Sequence, residues 1–365
     1  MIRCFCCPPT SLSQSGTSAP IGRRGFMAGA VALAAAGLAP TLATPALAGP
    51  TGAQPKPRRI DVHHHIVPST WLAALKSAKL DTPPMLVWTP QRSIEDMDQA
   101  GVATAITSPT TPQVNFLPKA DAVRIARDSN DYAKRLTIDH PGRFGMFALL
   151  PMPHVDESLK AIGYALDVLK ANGIGMMTSY GDKWLGHPDF APVFDELNRR
   201  KATVYTHPTG ANCCVSLVPG LPETVVEYGA DTTRTIANLI FSGASQRYQD
   251  ITFIFSHGGG VLTAVAERFE IQMVNTPPYK GKISRETVDH ELRRFYYDTA
   301  QVANAVTIRA LADLVPTSQI VFGTDYPYRT AAEHVAGLAK AFDGPTLRAI
   351  ERDNALRILL NLTPA

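Results

Sequence analysis

The sequence predicts an α/β fold, a (β/α)8 TIM barrel, on three observations. Apolar, β-rich runs alternate with amphipathic stretches of helical length from residue 59 onward. The β runs are continuously apolar, as strands covered on both faces must be. The first of them ends in His63-His64-His65 and is followed by no G-x-G-x-x-G, the phosphate loop that an open doubly wound sheet would carry there. Gly258-Gly259-Gly260, after the sixth run, is no such fingerprint.

The eight expected strands are Ile60–His64, Ala103–Thr107, Gly145–Leu150, Gly173–Thr178, Thr203–Thr206, Ile251–Ser256, Phe295–Thr299 and Ile320–Gly323. Helical periodicity fills the intervals at Lys119–Asp139, Glu157–Ala171, Ala191–Lys201, Glu223–Ser242, Val261–Val274 and Ala303–Leu314. A last helix over Pro345–Leu360 packs on the barrel. The chain has 365 residues, 45% hydrophobic and 18% charged, enough for one large α/β domain plus extensions.

The N-terminus reads as an address. Arg23-Arg24-Gly25-Phe26-Met27 is a twin-arginine sequence, an Ala/Leu-rich stretch runs from Met27 to Leu38, and Ala46-Leu47-Ala48 supplies the small residues of a cleavage site. Residues 1–48 are therefore expected to be an export signal leading to the periplasm, and 49–58 a flexible leader into the domain at 59–365. The signal holds Arg3, Arg23, Arg24 and no acid; taking those three from 35 basic residues leaves 32 against 32 acidic ones. A neutral body argues against nucleic-acid binding, which needs a basic face. No later apolar run reaches the roughly 20 residues of a membrane helix, so no membrane partner is expected after signal removal. Cys4, Cys6 and Cys7 leave with the signal, and the adjacent Cys213 and Cys214 are not expected to bridge.

In a barrel of this kind chemistry collects at the C-terminal ends of the strands. Strand one ends in Asp61-Val62-His63-His64-His65, and alternation puts His63 and His65 on one face and His64 on the other. Strand five ends in Thr206-His207-Pro208, strand six in Ser256-His257-Gly258, strand eight in Gly323-Thr324-Asp325-Tyr326-Pro327. Singly, His207 reads as a satisfied polar residue and Asp325 as a helix cap or turn former. Gathered on one rim they read as a metal site with an acid–base group. His64 should face the helices, and His140, His154, His187, His290 and His334 read as surface or capping residues. Asp298, at strand seven, either orients a member of the site or caps the helix from Ala303; Ser256 is a candidate support for the site.

These motifs, with Ile94-Glu95-Asp96-Met97-Asp98-Gln99-Ala100-Gly101-Val102 before strand two and Tyr296-Tyr297-Asp298-Thr299 at strand seven, resemble the amidohydrolase superfamily. The likeness is strongest to its branch typified by aminocarboxymuconate semialdehyde decarboxylase and related aromatic-acid decarboxylases, and it covers about residue 58 to 360. The resemblance implies that His63, His65, His207 and Asp325 bind one divalent ion, Zn2+ ahead of Mn2+, that His257 is the acid–base residue, and that the protein is a homodimer. Two-metal relatives carry a lysine at the end of strand four; Gly173-Ile174-Gly175-Met176-Met177-Thr178 has none, which favours one ion.

Such a site supports non-oxidative decarboxylation of a small aromatic or dienoic acid, with proton transfer by His257 and Asp325. The alternative is hydrolysis of a lactone, ester or amide on the same residues. A barrel that kept its shape and lost turnover is a third reading, against which the complete ligand set argues. Trp88, Met176, Met177, Tyr180, Trp184, Phe241, Tyr326 and Tyr328 are expected to line a pocket for a planar acid. Arg92 and Arg329 are candidate charge clamps. Aminocarboxymuconate itself fits poorly, and a salicylate- or resorcylate-type acid fits better.

Overall fold

The computed structural model describes residues 58–362. The expected export signal, Cys4, Cys6, Cys7 and all of the leader but Arg58 lie outside the described residues. Eight strands form one parallel sheet in chain order: β1 (Arg59–His65), β2 (Val102–Ser108), β3 (Phe144–Leu149), β4 (Gly173–Met177), β5 (Thr203–His207), β6 (Thr252–Phe255), β7 (Tyr296–Asp298) and β8 (Ile320–Val321). The sheet closes between β8 and β1. The Val62 amide donates to Phe322 O at 2.9 Å, Asp325 N–H to His63 O at 2.8 Å, and His64 bridges to Tyr326. The eight apolar runs of the sequence are these strands, with ends displaced by one or two residues.

Strands and helices divide the apolar residues between two cores. Ile60, Val62, Ile106, Phe147, Tyr205, Ile254 and Val321 form one cluster drawn from six strands, which only the barrel interior can bring together. Phe147 and Tyr205 stack there at 5.1 Å between ring centroids. The larger cluster lies between the sheet and the surrounding helices. Lys119–Asp139 is a helix as expected, burying Ala122, Ile125, Ala126, Ala133 and Leu136 along one stripe. The sequence reading does not single out the helices Ser69–Ala78, Pro90–Gln99 and Arg285–Arg294. Pro90–Gln99 has few apolar residues to show a period. Its start is written instead in Thr89, whose side chain accepts from Arg92 N–H, and in Pro90 at the first helical position.

The C-terminal segment runs under the N-terminal ends of the strands. Ala355, Ile358 and Leu359 join the interior cluster, and Leu360 N–H donates to Asn172 O at 3.2 Å. Glu351, wholly buried, receives Arg58 at 2.5 Å and Arg59 at 2.8 Å. Among the described residues, no helix is long and apolar enough to cross a membrane. The vicinal pair Cys213–Cys214 is bonded side chain to side chain, against expectation. The bond sits in the single turn Asn212–Cys214, where the chain already brings the two residues together.

Candidate metal centre

An irregularity in β1 aims the first two ligands. Between Asp61 and His64 this strand carries one residue more than β2 does, so strict alternation is broken just below the rim. Val62 thus stays in the barrel interior while His63 also turns inward. Beyond the irregularity alternation resumes: His63 and His65 converge, their Nε2 atoms 3.2 Å apart, and His64 points the other way. His64 is held by Asp61 at 3.0 Å and Ser93 Oγ at 3.0 Å and stacks on Tyr326, as a residue outside the site should be.

His207 comes from the end of β5 and Asp325 from the turn after β8. One ligand atom from each of His63, His65, His207 and Asp325 lies within 4.8 Å of the others, and all four residues are buried. Ligands about 2.1 Å from one ion stand at most about 4.2 Å apart, so the cluster needs only a small contraction to share a cation. Gly323 allows this approach, since a Cβ there would meet His63 Cβ at 2.9 Å and Asp298 Cβ at 3.1 Å.

Hydrogen bonds fix which nitrogen each imidazole offers. His63 Nδ1 donates to Asp298 Oδ2 at 2.7 Å, His65 Nδ1 to Ser108 O at 3.2 Å and His207 Nδ1 to Pro208 O at 2.8 Å. Each Nε2 is left with its lone pair facing the cluster. When His63 is neutral its Nε2 and that of His65 oppose each other with lone pairs alone, an arrangement that a proton on His63 or a cation beside them resolves. The donor set, three imidazoles and a carboxylate, fits a single divalent ion.

The electrostatics agree. Burial works against a charge on His63, but Asp298 and Asp325 outweigh it and hold its pKa up to about 10. The same two carboxylates make the negative surroundings that a metal cation would meet. Burial, opposed in part by Asp325 and aided by the charge of His63, lowers His65; burial and the neighbouring His65 and His63 push His207 well down, so both stay neutral ligands at pH 7. Burial would raise Asp325, yet the His63 charge, with His257, His63 and His65 gathered around its two oxygens, holds it well below the usual carboxylate range.

His257 leaves β6 through Gly258-Gly259-Gly260, and its Nε2 lies 3.5 Å from Asp325 Oδ2. Both residues adopt left-handed backbone, φ 55° for His257 and φ 64° for Asp325, conformations that persist where surroundings over-determine them. Gly260 explains part of the glycine run: at φ 73°, a Cβ would lie 2.0 Å from Gly229 O. Asp298 orients the site rather than capping a helix. Besides His63, it accepts from His257 N–H at 2.8 Å and Ala300 N–H at 3.0 Å, while the next helix is capped by Asn304. Ser256 Oγ is buried and makes no hydrogen bond within the described residues.

A cavity of about 850 Å³ opens over His207, His257 and Asp325. Its apolar wall includes Leu80, Met85, Val226, Val261 and Val302, its polar wall Thr110, Tyr228, Gln301 and Tyr328. Most of the expected lining is elsewhere. Met176, Met177 and Phe241 are in the core, Tyr180 hydroxyl accepts from Met177 N–H, and the indoles of Trp88 and Trp184 are committed to Ser93 and Asp231. Tyr328 alone of that group faces the cavity. Neither expected clamp reaches it: Arg92 donates to Val87 O and Arg329 pairs with Glu333, both at the surface. His334, expected at the surface or as a cap, is buried and accepts from Gln301 N–H at 2.9 Å. Lys183 is exposed and paired with Asp189.

Residues 60–360 match the family model described as amidohydrolase. The chain belongs to the amidohydrolase family. Among its relatives within this amidohydrolase set is decarboxylase yanB of Aspergillus niger, 35% identical, with 82% of this chain and 87% of that one covered. Another, the 6-methylsalicylic acid decarboxylase acuB of Aspergillus aculeatus, is 34% identical over 84% of this chain and 97% of its own. The solved dihydroxybenzoic acid decarboxylase of Polaromonas sp. JS666, with bound manganese and the inhibitor 2-nitroresorcinol, shares the fold. Its TM-score is 0.70 at 20% identity, over 82% of this chain and 96% of that one.

Proposed function

We propose that the protein is a metal-dependent decarboxylase of a hydroxybenzoate-type acid, and that its preferred substrate is a monocarboxylate with an apolar ring substituent, of the 6-methylsalicylate kind. The observation that carries the substrate class is the cavity. It has room for a substituted benzene ring, a long apolar wall, and no lysine or arginine among its described lining residues. A second carboxylate would find no partner there, whereas a methyl group would meet Leu80, Met85 or Val226. The relatives' activities support the same class.

His63, His65, His207 and Asp325 would hold the ion. When bound, a divalent ion supplies Lewis-acid anchoring for the substrate's carboxylate and neighbouring oxygen. Zn2+ is the ion proposed, given three imidazole donors, with Mn2+ its competitor. His257 delivers the proton. The bond from ring to carboxyl carbon breaks, carbon dioxide leaves, and the electron pair left on the ring carbon takes the proton from His257. Asp325, kept ionised, faces His257 Nε2 at 3.5 Å. Tyr228 and Tyr328, each pushed up to about 12 by burial first of all, remain phenols able to donate hydrogen bonds to a bound hydroxyl or carboxyl oxygen.

The test is metal analysis followed by carbon dioxide release from 6-methylsalicylate, salicylate and 2,6-dihydroxybenzoate, beside acid release from lactones and anilides. Release of carbon dioxide from a hydroxybenzoate supports the reading; acid from a lactone with none from any hydroxybenzoate replaces it with the hydrolase. Export to the periplasm by residues 1–48 rests on Arg23-Arg24 and is checked by fractionation of an Arg23→Lys/Arg24→Lys variant, which should stay in the cytoplasm.

A further inference from the structure

The end of β7 reaches more of the site than its length suggests. Asp298 orients His63 with one carboxylate oxygen and takes the amides of His257 and Ala300 with the other. The turn it sets up continues into Gln301, a non-glycine residue at φ 58°. That strained backbone is pinned from outside the cavity. His334 Nδ1 donates to Thr330 O at 2.8 Å, which leaves Nε2 to accept from Gln301 N–H at 2.9 Å. Held this way, the Gln301 side chain reaches across the cavity wall and its amide donates to Asp325 Oδ2.

The two oxygens of Asp325 are thereby given different work. Oδ1 lies 3.0 Å from His65 Nε2 and 3.2 Å from His63 Nε2. Oδ2 meets Gln301 and, at 3.5 Å, His257. A carboxylate with one free torsion would otherwise rotate and present either oxygen, or both, to a cation. We propose that Gln301 is a positioning residue for Asp325: by occupying Oδ2 it turns Oδ1 alone toward the imidazoles and keeps Oδ2 opposite His257. His334 acts one step further out, by holding the Gln301 backbone in the conformation that makes the reach. The inference rests on the roles given above to Asp325 and His257, and is independent of which acid is the substrate.

Gln301→Gly separates positioning from structure, because glycine adopts this φ without strain and lacks the amide. In the full chain we expect a melting temperature within about 2 °C of the parent, strain relief offsetting the looser unfolded chain. Zn2+ affinity of the metal-stripped protein, read by competition with a chromophoric chelator, should weaken about tenfold. At saturating Zn2+, kcat on 6-methylsalicylate should fall about tenfold with KM within about twofold, since Asp325 and His257 act in the step and not in binding. Zn2+ affinity and kcat both within about twofold of the parent would overturn the proposal. If Gln301→Gly melts lower, Gln301→Met, which keeps the length and loses the amide, is read by the same two measurements. If the parent releases no carbon dioxide from any hydroxybenzoate, the decarboxylase reading falls while the Zn2+ measurement still decides the role of Gln301.

Discussion

The two ends of the barrel handle buried polarity in opposite ways. At the N-terminal end Glu351 meets Arg58 and Arg59, opposite charges directly paired under the plug of Ile358 and Leu359. At the C-terminal end three imidazoles turn their Nε2 atoms toward one point beside a carboxylate, and two residues there take up left-handed backbone. The first end is complete as it stands; the second is arranged around something it must receive. The contrast shows which end of a symmetric architecture is spent on stability and which on chemistry.

Each end can be perturbed without touching the other. The largest expected effect is at the rim: Asp325→Ala or His63→Ala should lose bound metal and activity together, measured by metal content and carbon dioxide release. His257→Ala should keep its metal and lose about a thousandfold in kcat; full activity with metal retained would remove His257 from the proton transfer. At the other end Glu351→Ala should lower unfolding stability by about 2 kcal/mol, by taking the carboxylate from two partly exposed guanidinium groups, with Zn2+ affinity unchanged. A loss of metal affinity there would show that the two ends are coupled.

Titration sharpens the contrast. His63 is raised to about 10, so in the metal-free protein its stabilising proton is fully present below 6.5 and is lost as pH climbs toward 10. His65 and His207 are lowered, so stability also falls when pH drops below about 6.5 and the unfolded chain binds protons that these buried rings refuse. Metal-free melting temperature should therefore peak near neutrality, and Zn2+ binding at pH 8 should release about one proton, from His63, by calorimetry in buffers of different ionisation enthalpy. The smallest effects belong to Arg92→Ala and Arg329→Ala, whose surface contacts predict a KM within about twofold of the parent.

The barrel was readable from the sequence because strands buried on both faces leave uninterrupted apolar runs, and the five rim residues because four short motifs each end such a run. The cavity walls were not. Leu80, Met85, Val226 and Val261 come from separate loops and helix starts with no shared period. Trp88 and Trp184 looked like pocket aromatics, but an aromatic side chain in a sequence carries no direction, and each indole found a buried acceptor. Asp298 stands out in the sequence with two roles open to it, since a carboxylate at a strand end suits a helix cap as well as an imidazole. Gln301 gave no signal at all: its importance lies in a backbone torsion and in a histidine 33 positions later.

The absence of lysine and arginine from the described cavity wall bears on how a turnover would finish. Among the described residues, the hold an entering acid finds by charge lies at the metal-binding end of the chamber. Once carbon dioxide has gone, what remains is a neutral phenol against a greasy surface, with nothing left to grip it by charge. Departure is thus written into the walls, and accumulated phenol should compete only feebly with fresh acid.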